Sequence, residues 1–293
     1  MYFKTKNRYL ILSDLDGTLL NNKGKLDDLT IRAVKKLVNN GHVFCILTGR
    51  SAEMSLWVYR QLNLKHLLSN YNGSYIWHPN NPEFKVFTFS FNYEVIENIL
   101  NEKVIWKSVK NIVILNNKGT YISNFPTTKK DKEWYYQNLH ITDDGNVFQI
   151  DKNLSNIKGV DVRSVILLLN DESKLDEVMY LLHLYSPTLT ARLWRENAGG
   201  IIIEINSQFA CKGTSIDFLS NYYGIPFDNC ISFGDGDNDV EMLSTAGHGF
   251  AMKNATMTAK IHARYITKHD NDNCGVAREL IKFFKLKKYN KKK

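Results

Sequence analysis

Short apolar runs alternate with stretches of helical periodicity in the first part of the chain. Residues 9–12 and 43–47 each predict a strand, because a brief apolar run bounded by turn residues is typical of a buried strand. Between these two runs, apolar residues recur at helical spacing over 28–40, and Gly41 follows as a C-terminal cap. The pattern predicts a strand–helix–strand unit.

The middle of the chain has a different pattern. Short strands are predicted at 112–115, 165–169 and 201–205, and a helical stretch is predicted at 172–185. This mixture predicts an α+β insert that has its own sheet.

Strand–helix alternation returns in the last part of the chain. A helix begins near Lys212, a strand covers 229–233, and a final helix covers about 275–284. The sequence therefore predicts an α/β protein with a parallel sheet and an α+β insert. The predicted parts are a first core part, the insert and a second core part, at residues 1–83, 84–207 and 208–293.

Composition limits the class of protein. The 293 residues suffice for two domains, and the hydrophobic share of 43% is ordinary for a globular protein. No apolar run approaches the roughly 20 residues that span a bilayer, and the run after the basic N-terminus is too short for a signal peptide. The four cysteines form neither a CxxC pair nor a zinc spacing, which fits a reducing compartment. We therefore expect a soluble, cytoplasmic protein with no membrane partner.

The net charge of +8 raises the question of nucleic-acid binding. Seven lysines and no acidic residue follow from Lys282 to the end, and without them the net charge is +1. The excess is a lysine-rich tail, which is typical of a solvated chain end and not of a basic face on a folded body. We expect no nucleic-acid partner.

The strand at 9–12 leads into the sequence Asp14-Leu15-Asp16-Gly17-Thr18. Ligands of an α/β sheet bind at such a strand end. Two carboxylates held close together repel each other, and a divalent cation compensates for that repulsion. Taken alone, the segment could equally be an acidic turn, since Asp and Gly are ordinary turn residues.

Three further elements make the acidic turn the weaker interpretation. Thr48-Gly49-Arg50 ends the second strand, Lys212 opens a late helix, and a segment with three acids, 234–239, ends a late strand. In a parallel sheet the strand ends meet at one edge. Acids for a cation, donors for an oxyanion and a lysine are what phosphoryl transfer needs, because its transition state spreads negative charge over phosphate oxygens.

These elements together resemble the haloacid dehalogenase superfamily of phosphohydrolases. The matches are Asp14 to Thr18 for motif one, Thr48 for motif two, Lys212 for motif three and 234–239 for motif four. Two further segments resemble the Cof-type branch, namely Gly-Phe-Ala-Met-Lys-Asn-Ala at 249–255 and Asn-Cys-Gly-Val-Ala at 273–277.

The resemblance also implies a fold. Motif one lies 34 residues before motif two, whereas 164 residues separate Thr48 from Lys212. An insertion in that second interval is where the family has its C2-type cap, and the mixed strand–helix pattern suggests the C2B form. The resemblance therefore implies a Rossmann-like core with an inserted α+β cap.

The resemblance assigns the reacting groups. Asp14 would be the nucleophile that forms an aspartyl-phosphate. Asp16 would be the general acid and then the general base. Mg2+ would be held by Asp14, the backbone carbonyl of Asp16 and Asp235, all hard oxygen ligands, and Asp239 would orient a metal-bound water. The phosphate would be held by a hydroxyl, a backbone amide and two side chains, from Thr48, Gly49, Asn238 and Lys212.

Several residues keep two interpretations. Arg50 could form a structural ion pair or reach the substrate. Asn72 could belong to a plain turn or to the edge that carries the site, and Asn254 is a turn or cap residue more than a ligand. Arg192 and Trp194, which precede the strand at 201–205, could bind a sugar or a second phosphate or could lie in a solvated loop.

The function expected from this set is Mg2+-dependent hydrolysis of phosphomonoesters, with small sugar phosphates as substrates. Three alternatives remain open at this point. They are a phosphomannomutase-type phosphotransfer, nucleotide hydrolysis and a non-catalytic sensor of phosphorylated metabolites. The partner in each case is a small phosphorylated metabolite.

Overall fold

The computed structural model describes residues 7–116, 119–139, 147–151, 155–195 and 200–286. Contacts divide the chain into two compact units. The core unit comprises residues 1–88 and 211–293, and the inserted unit comprises residues 89–210. The core unit is therefore built from both ends of the chain. Most of the lysine-rich tail, residues 287–293, lies outside the described residues.

The first part of the core unit alternates strands and helices, as predicted. Its elements are β1 (Leu10–Ser13), α1 (Asp28–Asn39), β2 (Val43–Ile46), α2 (Ala52–Gln61), β3 (Leu68–Asn70), β4 (Tyr75–Trp77) and β5 (Phe87–Thr88). The N-terminus of α2 is fixed by the Ser51 hydroxyl, which accepts a hydrogen bond from the Met54 N–H.

The inserted unit contains four helices and six strands within its described residues. These are α3 (Tyr93–Asn101), α4 (Lys103–Ser108), β6 (Val109–Leu115), β7 (Thr120–Ile122), α5 (Lys129–Leu139), β8 (Val147–Gln149), β9 (Ser164–Leu169), α6 (Leu175–His183), β10 (Leu189–Arg195) and β11 (Ile201–Ser207). The sheet order is β10-β11-β9-β6-β7-β8, and every pair except β7–β8 is antiparallel. The three strands predicted for this region are confirmed.

One prediction for the inserted unit was wrong. The solvated-loop interpretation of Arg192 and Trp194 fails, because both lie in β10, where they pair with Glu204 and Ile202 of β11. The partner strand β11 is seven residues long, and every one of its residues is buried. Strand pairing between β10 and β11 therefore decides the local structure.

The second part of the core unit completes the main sheet. Its elements are α7 (Lys212–Tyr223), β12 (Cys230–Gly234), α8 (Val240–Thr245), β13 (His248–Ala251), α9 (Met257–His262), β14 (Tyr265–Ile266) and α10 (Gly275–Phe283). The sheet order is β14-β13-β12-β1-β2, and all neighbours are parallel. The predicted α/β fold with a parallel sheet is confirmed.

The centre of this sheet is buried on both faces. Successive residues of a strand point to opposite faces, and Ile11 packs into one core cluster while Leu10 and Leu12 pack into another. Because β1 lies between β12 and β2, the three C-terminal ends meet at the middle of one sheet edge. The fold thus places the ends of β1, β2 and β12 side by side.

Two expectations from composition can be compared with the described residues. No helix in these parts of the chain has the length and apolar character that a membrane crossing requires. All four cysteines are free, and Cys45 and Cys230 are buried in strands, where each acts as a small hydrophobic residue.

Candidate active site

The turn after β1 packs directly against the end of β12. The Asp14 N–H donates to the Phe233 carbonyl at 3.0 Å, and the Thr18 hydroxyl donates to Asp235 Oδ1 at 2.6 Å. Gly17 has a φ of +69°, and a Cβ at this position would lie 2.2 Å from Asp235 Oδ2. Only glycine therefore allows this turn to approach the Asp235 carboxylate so closely.

Lys212 neutralises two carboxylates in the interior of the core unit. Its side chain is fully buried, and Nζ lies 2.6 Å from Asp14 Oδ1 and 2.6 Å from Asp239 Oδ1. Burial alone would lower the pKa of this amine, but attraction by the two carboxylates outweighs burial and raises it. Lys212 therefore stays charged at every physiological pH.

Asp239 uses both carboxylate oxygens within the protein. Oδ1 accepts from Lys212, and Oδ2 accepts from the N–H groups of Asp235 and Gly236 at 2.8 and 2.9 Å. The side chain is fully buried. Asp239 therefore fixes the shape of the loop after β12 and the position of Lys212.

The electrostatics of Asp14 and Asp235 favour a bound cation. Burial is the main reason that the pKa of Asp14 lies well above its ordinary value, and the attraction of Lys212 does not offset it. Burial likewise raises the pKa of Asp235 to about 6, with repulsion from Asp239 adding to it and the Thr18 hydrogen bond opposing it. A cation between these carboxylates would favour their charged forms.

The donor atoms fit Mg2+. Carboxylate oxygens of Asp14, Asp235 and Asp239 lie within 4.8 Å of one another. Hard oxygen ligands are what Mg2+ prefers, and it commonly binds through one or two carboxylates and several waters. Since both oxygens of Asp239 are already engaged, Asp14 and Asp235 are better suited to direct ligation.

Arg50 holds the carboxylate of Asp16. Arg50 Nε donates to Asp16 Oδ2 at 2.7 Å and Nη2 donates to Oδ1 at 2.5 Å, which is a bidentate ion pair. The Arg50 side chain is 14% exposed and the Asp16 side chain 59% exposed. Of the two interpretations of Arg50, the structure contains the ion pair, while a contact with substrate stays a prediction.

Asn72, which could have been a plain turn residue, lies among the predicted phosphate-binding residues. The Asn72 N–H donates to the Thr48 carbonyl at 3.0 Å, and Asn72 Oδ1 accepts from Asn238 Nδ2 at 2.9 Å. A Cβ on Gly49 would lie 3.3 Å from the same Oδ1. Asn72 therefore joins the loop after β2 to the loop after β12. Its turn position near the sheet edge does not distinguish it from a plain turn residue in the sequence.

The core unit thus brings together nine of the predicted site residues. They are Asp14, Asp16, Thr48, Gly49, Arg50, Lys212, Asp235, Asn238 and Asp239. Arg192 and Trp194 belong to the inserted unit.

Comparisons with known proteins place the chain in a family. A sequence profile of the haloacid dehalogenase-like hydrolase family matches residues 11–280. The 5-amino-6-(5-phospho-D-ribitylamino)uracil phosphatase YitU of Bacillus subtilis (strain 168) is 30% identical over 281 residues, which cover 95% of this chain and 98% of YitU. The phosphatase YcsE of the same organism, which carries the same description, is 26% identical over 274 residues, 92% of this chain and 94% of YcsE.

A solved structure shows the same fold. The haloacid dehalogenase-like hydrolase from Bacteroides thetaiotaomicron superposes with a TM-score of 0.76 at 23% identity, over 95% of this chain and all of that one. Both the profile and the 30% identical relative extend over nearly the whole chain. The chain therefore belongs to the haloacid dehalogenase-like hydrolase family, as a phosphoric monoester hydrolase.

Proposed function

We propose that this protein is a Mg2+-dependent phosphatase that hydrolyses small sugar and polyol phosphates through an aspartyl-phosphate. The observation that carries the proposal is the group formed by Asp14 and Lys212, both buried, and the half-buried Asp235 at the shared end of β1 and β12. A nucleophilic carboxylate, a fixed ammonium group and a cation site within a few ångströms are what transfer of a phosphoryl group to Asp14 requires.

The chemistry proceeds in two balanced steps. An Asp14 oxygen attacks phosphorus, the bond to the ester oxygen breaks, and Asp16 gives that oxygen its proton. Water then attacks the aspartyl-phosphate, Asp16 takes a proton from the water, and inorganic phosphate leaves with Asp14 regenerated. Mg2+, held by Asp14, Asp235 and the Asp16 carbonyl, would supply positive charge that offsets the charge of the phosphate.

The remaining residues bind and orient the phosphate. Lys212 is immobilised by Asp14 and Asp239, so its charge is in place before substrate arrives. Thr48, the Gly49 amide and Asn238 are assigned to the phosphate oxygens, and Asn72 fixes Asn238 through its 2.9 Å hydrogen bond.

A more specific substrate is suggested by the two named relatives. Their substrate carries its phosphate on a ribityl chain, which is a polyol. We include this compound in the substrate class, next to sugar phosphates. Arg192 and Trp194 are proposed to contribute to substrate selection, and alanine variants with unchanged kcat/KM on every substrate would end that assignment.

The decisive experiment measures inorganic phosphate release. Substrates are p-nitrophenyl phosphate, hexose and pentose phosphates, nucleoside monophosphates and 5-amino-6-(5-phospho-D-ribitylamino)uracil, each with Mg2+ and with EDTA. We expect release that depends on metal, that disappears in Asp14→Asn and that persists in Asp28→Asn, where the replaced carboxylate is exposed on α1.

Other outcomes separate the alternatives. Isomerisation of a sugar phosphate without release of phosphate would indicate a mutase. Binding of phosphorylated metabolites without turnover would indicate a sensor. Normal turnover by Asp14→Asn would refute the aspartyl-phosphate mechanism.

A further inference from the structure

Asn254 lies in the first of the two segments that resemble the Cof-type branch, and the chemistry above gives it no role. Its carboxamide joins two distant parts of the core unit. Nδ2 donates to the Gly17 carbonyl at 2.7 Å, and Oδ1 accepts from the Asn271 N–H at 3.1 Å. Asn254 lies in a turn, as expected, and its side chain also joins that turn to a residue 237 positions away.

Asn271 extends this contact to the far end of the same turn. Its side chain is buried, and Nδ2 donates to the Leu20 carbonyl at 3.0 Å and to Asn22 Oδ1 at 2.9 Å. Asn254 and Asn271 together hold the turn after β1 at both ends, at Gly17 and at Leu20.

Thr256, two residues further on, holds the other loop of the site. Its N–H donates to the Asp235 carbonyl at 2.8 Å, and its hydroxyl donates to Asp237 Oδ1 at 2.7 Å. The same hydroxyl oxygen accepts from the Ala259 N–H and so caps α9. Residues 254–256 therefore contact both loops that carry the proposed Mg2+ ligands.

The two loops need such support because they bring like charges together. Carboxylate oxygens of Asp14, Asp235 and Asp239 lie within 4.8 Å of one another. Lys212 forms ion pairs with Asp14 and Asp239. Before a cation binds, repulsion opposes the close approach of the loops. The Asn254 carboxamide holds the Gly17 carbonyl, and Thr256 holds the loop after β12 through its backbone N–H at Asp235 and its hydroxyl at Asp237, all without adding charge.

We propose that Asn254 and Thr256, supported by Asn271, are positioning residues that fix the spacing of the two loops for Mg2+. The inference rests on the Mg2+ site of the proposed function. Residues that orient metal ligands without touching the metal typically change metal affinity or activity by about ten- to hundredfold when replaced. We therefore expect Asn254→Leu to weaken Mg2+ binding by at least about tenfold.

Isothermal titration calorimetry with Mg2+ alone tests this. The matched control is Asn273→Ala, since the Asn273 amide bonds to Asp270 within its own turn. Thr256→Val, which removes the hydroxyl, should weaken Mg2+ binding in the same direction, and Thr256→Ser should restore it. Urea unfolding in EDTA establishes whether each variant is folded. If Asn254→Leu is not folded, the comparison of Thr256→Val with wild type tests the inference.

A kinetic measurement separates positioning from a purely structural role. If Asn254 acts through the cation site, the activity of Asn254→Leu should approach that of the wild type at saturating Mg2+. Mg2+ affinity equal to wild type in both Asn254→Leu and Thr256→Val overturns the inference and leaves the proposed function intact. Absence of Mg2+ binding by the wild-type protein overturns both.

Discussion

Lys212 offers a quantitative test of the electrostatics of the site. The substitution Lys212→Met keeps much of the side-chain volume and removes the ammonium group. Lys212 is fully buried and contacts Asp14 and Asp239 at 2.6 Å each. The variant therefore leaves two neighbouring buried carboxylates without the cation that neutralises them.

The magnitude follows from the cost of an uncompensated buried charge. Removing one partner of a buried ion pair typically costs about 3–5 kcal/mol of the free energy of unfolding. Asp14 can reduce the cost by taking up a proton, because burial already raises its pKa. We therefore expect the lower end of the range, about 3 kcal/mol, in EDTA near neutral pH.

Urea denaturation of wild type and variant in EDTA measures this difference. Lys36→Met, on the exposed side of α1, is the control and should change the free energy of unfolding by less than about 0.5 kcal/mol. In the Asp14→Asn background the cost of Lys212→Met should be smaller, since one of the two stranded charges is gone. A Lys212→Met protein as stable as wild type, or an equal cost in both backgrounds, would refute the reasoning.

Three further predictions address other parts of the molecule. Burial lowers the pKa of His66 from 6.5 to about 4, so between these values the unfolded chain binds a proton that the folded protein does not. Acidification from about pH 7 to about pH 5 should therefore lower the free energy of unfolding by about 1–2 kcal/mol through this group. Urea denaturation of wild type and His66→Gln across this pH range measures the difference, and equal pH dependence in the two proteins would contradict the prediction. Gly17→Ala should lower kcat/KM for p-nitrophenyl phosphate about tenfold or more, because an L-residue at a φ of +69° is strained and its Cβ would meet the Asp235 carboxylate. Asn206→Leu should raise the free energy of unfolding by about 1 kcal/mol, because both the oxygen and the nitrogen of this fully buried amide lack a hydrogen-bond partner among the described residues. Thermal denaturation measures the change, and a lower Tm for the variant would show that the amide is hydrogen-bonded in solution.

The core sheet could be predicted because its physical signal is local. A parallel strand covered on both faces is apolar at every position, and 9–12 and 43–47 show that pattern, which corresponds to β1 and β2. Asp14, Thr48 and Asp235 likewise lie at the ends of predicted strands. Parallel pairing then brings those ends together without further information.

Lys212 and Asn72 show the limit of that argument. Lys212 begins a helix, so no strand end located it, and only the resemblance to a family assigned it to the site. Asn72 lies in a turn after β3, where polar residues are common and carry no special signal. Its hydrogen bond to Asn238 joins residues 166 positions apart, a relation that local patterning does not encode.

The inserted unit was harder to predict because the polar positions of its sheet depend on long-range pairing. One face is apolar and includes Ile203 and Ile205 of β11, which was recognisable in the sequence. Glu204 lies on the opposite face, is buried, and stands across from Arg192 of β10. Residues directly opposite in an antiparallel pair share a face and interact. The environment of Arg192 therefore depends on Glu204, which is twelve positions away. Helical or strand periodicity predicts which positions are apolar, but it does not determine which polar side chains meet.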